Sequence, residues 1–101
     1  MLDGVGCDTM AAAGLSITVR LGDGGEASCV ATVTITDGTT TETLQAVGHP
    51  CVYAGAYEQP GKWTVTAKQK GYVSATQTAI EVVKGDCHVL GESVTLTLQP
   101  E

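Results

Sequence analysis

The sequence predicts an all-β fold, a single antiparallel β-sandwich of seven or eight strands tied by disulfides. Apolar and polar residues alternate with a period of two along most of the chain, as they do in strands with one buried face. Turn residues interrupt this alternation about every ten to fifteen residues. Four cysteines stand far apart in a chain of 101 residues. A chain of this length forms one hydrophobic core, so we expect one domain.

The first two strands are predicted from alternating large apolar residues. The first strand carries Leu15, Ile17, Val19 and Leu21, and the second carries Ala31, Val33 and Ile35. Residues 22–25 form a glycine-rich loop between them. The second strand stops at Asp37-Gly38, which is a strong hairpin signal. The return strand, at about residues 40–46, has only Leu44 as a large apolar residue, so we predict that it lies at an edge.

The later strands follow the same pattern. One begins after the turn at Pro60-Gly61, a long segment spans residues 72–83, and the last ends before Pro100. Threonine outside and valine inside is an arrangement that favours strands, and no helix longer than about two turns is expected. The predicted core contains Val33, Ile35, Trp63, Val65, Val94 and Leu96. The tyrosines expected to anchor it beside Trp63 are Tyr53, Tyr57 and Tyr72.

Charge excludes two classes of partner. Eleven acidic residues against five basic ones give a formal net charge of −6. Nucleic acids and anionic lipid surfaces are bound by clustered lysine and arginine, which this chain lacks. We therefore expect no nucleic-acid partner, and membrane contact only through a lipid anchor.

The cysteines indicate an exported protein. Cys7, Cys29, Cys51 and Cys87 include no C-x-x-C pair, so disulfides in an oxidising compartment fit better than a zinc or redox site. Of the three possible pairings we prefer Cys51 with Cys87 and Cys7 with Cys29, because Cys51 and Cys87 border elements expected to be neighbours. Free buried thiols are one alternative. A metal site is the other, and its ligands would be His49, Cys51, Cys87 and His88.

The N-terminal segment suggests a tether. Residues 4–8, Gly-Val-Gly-Cys-Asp, resemble the end of a bacterial lipoprotein signal, in which a small residue precedes the lipidated cysteine. This resemblance implies that Cys7 carries a lipid, which would leave Cys29 unpaired. The alternative is an ordinary N-terminus with a structural cysteine. We assign residues 1–14 to a tail or tether and residues 15–101 to the folded domain.

A run in the middle of the chain resembles a known family. Residues 55–67, Gly-Ala-Tyr-Glu-Gln-Pro-Gly-Lys-Trp-Thr-Val-Thr-Ala, followed by Gly71-Tyr72, are similar to the signature of carboxypeptidase regulatory-like domains. Residues 86–89, Asp-Cys-His-Val, resemble a subgroup found in small bacterial lipoproteins. The resemblance covers about residues 15–99 and implies a transthyretin-like (prealbumin-like) sandwich. It implies no peptidase activity, because the catalytic unit of such proteins is a separate domain.

Two features separate this chain from related patterns. The loop at residues 22–27 lacks the proline that the family usually has between its first two strands. The order Cys51, Trp63, Cys87 suggests an immunoglobulin sandwich as a competing fold. Its second cysteine follows the tryptophan too closely, however, and no tyrosine stands two residues before Cys87.

No catalytic motif is found, so we expect a non-enzymatic protein without a cofactor. Both histidines stand near cysteines, which favours structural roles. We expect Glu58 to bind backbone amides of its own turn. Two sets of loop carboxylates are candidates for Ca²⁺, either Asp23 together with Glu26, or Asp37, but such residues are more typical of solvated loops.

The expected function is an accessory or binding module at a bacterial cell surface or in the periplasm. Its loops at residues 22–26, 48–58 and 84–86 would contact a protein or glycan partner. The alternative is a structural subunit of an extracellular assembly, in which residues 9–15 of one copy pair with the edge at residues 40–46 of another. A minor alternative is a carbohydrate-binding module in which Trp63 stacks on a sugar.

Overall fold

The computed structural model describes residues 10–22 and 25–101. These residues form eight strands, which confirms the all-β prediction and the strand number. The strands are β1 (Leu15–Leu21), β2 (Thr32–Thr36), β3 (Thr41–Val47), β4 (Val52–Gly55), β5 (Gly61–Lys68), β6 (Ala75–Lys84), β7 (Val89–Leu90) and β8 (Glu92–Leu98). The described residues contain no helix, and hence none long enough to cross a membrane.

The strands form one sheet in the order β7-β6-β5-β2-β3-β4-β1-β8. Every neighbouring pair is antiparallel except β1 and β8, which run parallel over their full lengths. The prediction of a purely antiparallel arrangement is therefore wrong at this pair. The reason is connectivity. β8 follows β7, which lies at the other end of the strand order, so β8 and β1 are not joined by a hairpin and need not be antiparallel.

The sheet curls until its two ends nearly meet. Val83 of β6 pairs with Leu90 just before β8 begins. At the other end of β6, Tyr72 forms a bridge with Pro100, and the Val73 amide donates to the Gln99 carbonyl at 2.8 Å. The sheet is thus barrel-like, with a gap between β6 and β8 that we call the seam.

β3 is not an edge strand, so that prediction is wrong. Residues 41–44 pair with β2, and residues 45–47 pair with β4 on the opposite side. One buried large apolar residue suffices in this strand because Leu44 covers Gly55: a Cβ atom on Gly55 would overlap the Leu44 methyl groups. The interior position of β3 in the sheet depends on its backbone pairing and on the space beside Gly55. The number of apolar residues in the strand does not reveal either.

The six predicted core residues are all buried, as predicted. Trp63 and Tyr53 are the largest of the buried side chains, each only 1% exposed. Burying a side chain of this kind contributes about 1.5–3 kcal/mol. Tyr72 is half-buried, whereas Tyr57 is 44% exposed in the turn between β4 and β5, so its assignment as a core anchor is wrong.

Candidate functional site

The strand directions divide the loops between two ends of the molecule. The β1–β2, β3–β4 and β5–β6 loops lie at one end, which we call the disulfide end. The β2–β3, β4–β5 and β6–β7 loops lie at the opposite end. The loops predicted to form one surface are therefore split: residues 25–26 and 48–51 lie at the disulfide end, while residues 56–58 and 84–86 lie at the other. Residues 52–55 are strand β4 itself.

A disulfide joins two loops at the disulfide end. Cys29 of the β1–β2 loop is bonded to Cys51 of the β3–β4 loop, with their Cα atoms 5.4 Å apart. Both residues are thus disulfide cysteines, but the predicted pairings of Cys51 with Cys87 and of Cys7 with Cys29 are wrong. Strand β4 runs from Cys51 toward the end that holds Cys87, so the two cysteines lie at opposite ends, beyond bonding reach.

Cys87 is also in a disulfide, and its partner lies outside the described residues. The proposed lipidation of Cys7 likewise falls outside the described residues. The alternative metal site is contradicted by placement, because His49 and Cys51 lie at the disulfide end while Cys87 and His88 lie at the other. No group of three metal-binding side chains occurs within residues 10–22 and 25–101.

The Tyr53 hydroxyl fixes the loop that carries Cys29. It donates to the Ser28 carbonyl and accepts from the Ala31 amide, each at 3.0 Å. Tyr53 stands on β4 with its ring in the core, so its hydroxyl reaches the loop from below. These two bonds close the chain around Cys29 and Val30, which leaves both residues on the outside.

Further bonds hold the loop to its neighbours. The Ser28 amide donates to Val19 of β1 at 2.7 Å, and the buried Ser28 hydroxyl is bonded to the Gln69 side chain of the β5–β6 loop. Arg20 donates from Nη1 to the Gly25 carbonyl at 2.6 Å. Three separate elements therefore position the β1–β2 loop beneath the disulfide.

Two exposed valines lie beside the disulfide, among exposed polar residues such as Glu26 and His49. Val30, next to Cys29, is 76% exposed, and Val47, at the end of β3, is 52% exposed. Val47 pairs with Val52, the residue after Cys51. Val30 and Val47 are therefore each close to one cysteine of the same disulfide. Exposed valines held beside a disulfide are apolar contact points for another surface.

The opposite end is fastened by Glu58. Its carboxylate accepts from the Ala12 amide at 2.7 Å and from the Val89 amide at 3.1 Å, and it also contacts His88 Nδ1. The Ala12 amide is the main cause that holds the pKa of Glu58 below its usual range, with His88 contributing after it. Glu58 was predicted to bind backbone amides of its own turn. The amides it binds belong instead to the N-terminal segment and to β7.

Two weaker predictions are settled by local contacts. Asp37 accepts from the amides of Thr40 and Thr39 at 2.7 and 2.9 Å, and these bonds hold its pKa below the usual range. Asp37 therefore shapes its own turn. Asp23, which was the candidate together with Glu26, lies outside the described residues. Trp63 is buried and donates from Nε1 to the Gln59 carbonyl at 3.2 Å, so it cannot stack on a sugar.

The network of Ser28, Tyr53 and Gln69 was not predicted from the sequence. Neither serine nor glutamine there belongs to a motif, and only the period-two pattern placed Tyr53 inside. Comparison with known proteins found no family model and no curated protein that matches the chain.

Proposed function

We propose that the chain is a non-enzymatic binding module of an exported protein and that the disulfide end is its contact surface. The observation that carries this proposal is Val30, which is held out in solvent between two bonds of the buried Tyr53 hydroxyl and beside the Cys29–Cys51 disulfide. A loop fixed in this way loses little conformational entropy on binding. The partner is a protein or a glycan surface.

Export is supported by the disulfide chemistry. Disulfides form and persist in oxidising compartments such as the periplasm and the cell surface. The proposal does not include a lipid anchor at Cys7, because Cys87 needs a disulfide partner other than Cys29 and Cys51, which bond each other. It does include membership of the carboxypeptidase regulatory-like domains with their transthyretin-like sandwich. The support is residues 55–67, which form the end of β4, the turn after it and all of β5 except its last residue.

Site-specific photo-crosslinking tests the contact surface. A photoreactive amino acid replaces Val30 in cells that naturally make the protein, and the matched control replaces Thr39, an exposed residue at the opposite end. We expect a discrete crosslinked adduct from position 30 and none from position 39. Equal crosslinking from both positions, or none from position 30, would contradict the proposal.

Thiol trapping tests export. Cells are lysed directly into an alkylating reagent, and the intact mass of the protein is measured before and after reduction. We expect no alkylated cysteine before reduction and four alkylated cysteines after it. Full alkylation without reduction would place the protein in a reducing compartment and refute export.

Assembly by strand addition remains the second candidate, but on a different edge. Residues 41–47 are paired within the sheet. The N-terminal segment is also engaged in its own chain, since Ala12 bonds Glu58 and the Gly14 amide donates to Gly55 at 3.1 Å. The edges that face the seam are the ones that favour strand addition.

A further inference from the structure

The seam is closed only at its two ends. Val83 pairs with Leu90 at one end, and Tyr72 forms a bridge with Pro100 at the other. Between them, within the described residues, no ladder pair or bridge joins residues 75–82 of β6 to β8. Two antiparallel strand edges therefore face each other without pairing.

The bonds of β8 show which of its backbone groups face the seam. The Glu92 amide donates to Gly14 at 2.9 Å, and the Leu98 carbonyl accepts from Gly22 at 2.8 Å, both on the side of β1. Alternate residues of a strand direct their backbone groups to opposite sides. Ser93, Thr95 and Thr97 consequently present their amides and carbonyls to the seam. Gln99, the next residue in this series, bonds Val73 across it.

Core residues along the middle of the seam are also slightly more exposed than those on the opposite side of the barrel. The core residues Ile80, Val94 and Leu96 that border the seam retain 6–7% exposure, whereas Val33 and Val65 on the opposite wall have none. Gln77 is in register with the buried Val65 and so shares its face, yet it is exposed. An inward-facing polar residue in contact with solvent marks an opening in the sheet.

We propose that the seam accepts an extended, positively charged segment of another protein, which adds as a further strand along β8. Unpaired amides and carbonyls at strand spacing are satisfied by an extended backbone. Because β6 and β8 are antiparallel, the segment runs parallel to one and antiparallel to the other. Entry requires release of the bonds from Val73 to Gln99 and from Glu101 to Gly71, while β7 keeps the other end closed.

Charge selects the occupant. The chain has a net charge of −6, which favours a basic segment over a second copy of the chain. Glu81 of β6 and Glu92 of β8 are exposed near the β7 end of the seam, and neither has an ion-pair partner among the described residues. This surface is distinct from the disulfide end, so each can be tested without the other.

Amide exchange measured by NMR tests the proposal on the full chain. The probe is a peptide of about nine alternating threonine and valine residues with a lysine at each end, which spans a typical strand. At about 1 mM peptide, exchange of the Thr95 and Thr97 amides should slow at least about tenfold. The Val94 and Leu96 amides already face β1 and serve as internal controls. A peptide with glutamate at each end should protect at least about tenfold less.

A pair of variants identifies the backbone as the contact. Thr95→Pro removes one amide that faces the seam, whereas Thr95→Val changes the side chain and keeps it. We expect T95V to bind the lysine peptide as the wild type does and T95P to lose the protection at Thr97. If T95P does not fold, the exchange of the wild-type amides decides the question.

Three results would overturn the proposal: no slowing at Thr95 and Thr97, equal protection by both peptides, or protection that rises with protein concentration without peptide. The last result would identify a second copy as the occupant. None of them would alter crosslinking from position 30, so failure here is distinguishable from failure of the proposed contact surface.

Discussion

At the scale of single residues, buried polar contacts shape both ends of the molecule. Tyr53 and Glu58 each join segments that are distant in sequence, and each does so through backbone groups of the partner segment. Such bonds matter most when they are removed from one side only, because the partner groups are then left without a bond.

Tyr53→Phe should destabilise the protein by about 1–3 kcal/mol, because it leaves the Ser28 carbonyl and the Ala31 amide without their partner. Urea denaturation followed by circular dichroism measures the change. Tyr57→Phe is the matched control, since Tyr57 is exposed in a turn, and it should alter stability by less than about 0.5 kcal/mol. Equal effects of the two substitutions would show that the Tyr53 hydroxyl does not hold the loop.

Glu58 should make stability depend on acid pH. Folding lowers the pKa of this carboxyl, mainly through the Ala12 amide, so its ionised form stabilises the folded state above the unfolded-state pKa. That contribution is lost as the pH falls through the lower folded-state pKa. The lowered pKa of Asp37 acts in the same direction.

Denaturation midpoints between about pH 6 and about pH 3 measure this dependence. We expect a shallower acid loss of stability in Glu58→Gln than in the wild type. Glu81→Gln, at an exposed carboxylate without a hydrogen bond among the described residues, should follow the wild-type profile. Identical profiles for all three proteins would contradict the claim that ionised Glu58 stabilises the fold through the Ala12 and Val89 amides.

At the scale of strands, β3 shows how far the sequence pattern reaches. Alternation placed most of the strands and their buried faces, because the period of two is a direct consequence of extended backbone geometry. It missed the short strand β7 and also β4, which lies inside the loop predicted at residues 48–58. It did not reveal which strands are neighbours. Pairing depends on contacts between distant segments, such as Leu44 over Gly55, and the sequence carries no local signal for them.

Gly55→Ala should destabilise the protein by about 1–3 kcal/mol, because the added methyl group would overlap Leu44 in a closely packed core. Thermal unfolding measures the effect. In the double variant with Leu44→Ala, the glycine substitution should cost less than it does alone, since the overlapping side chain is shortened. Additive costs would show that Leu44 does not occupy the space beside Gly55.

At the scale of the whole molecule, the direction of each strand decides which loops can act together. The sequence located the loops and named the four cysteines, yet it could not assign loops to ends, because the place of β4 between β1 and β3 was unknown. The predicted bond between Cys51 and Cys87 failed for this reason. The same placement joined Cys29 to Cys51 and created the proposed contact surface.

Peptide mapping of the natively purified protein under non-reducing conditions tests this account most directly. Cleavage after glutamate at Glu26, Glu42 and Glu58, and again at Glu81, places Cys29, Cys51 and Cys87 in different fragments. We expect the fragment with Cys29 to be linked to the fragment with Cys51. A link from Cys51 to Cys87, or free thiols at Cys29 and Cys51, would contradict the disulfide end and the function proposed for it.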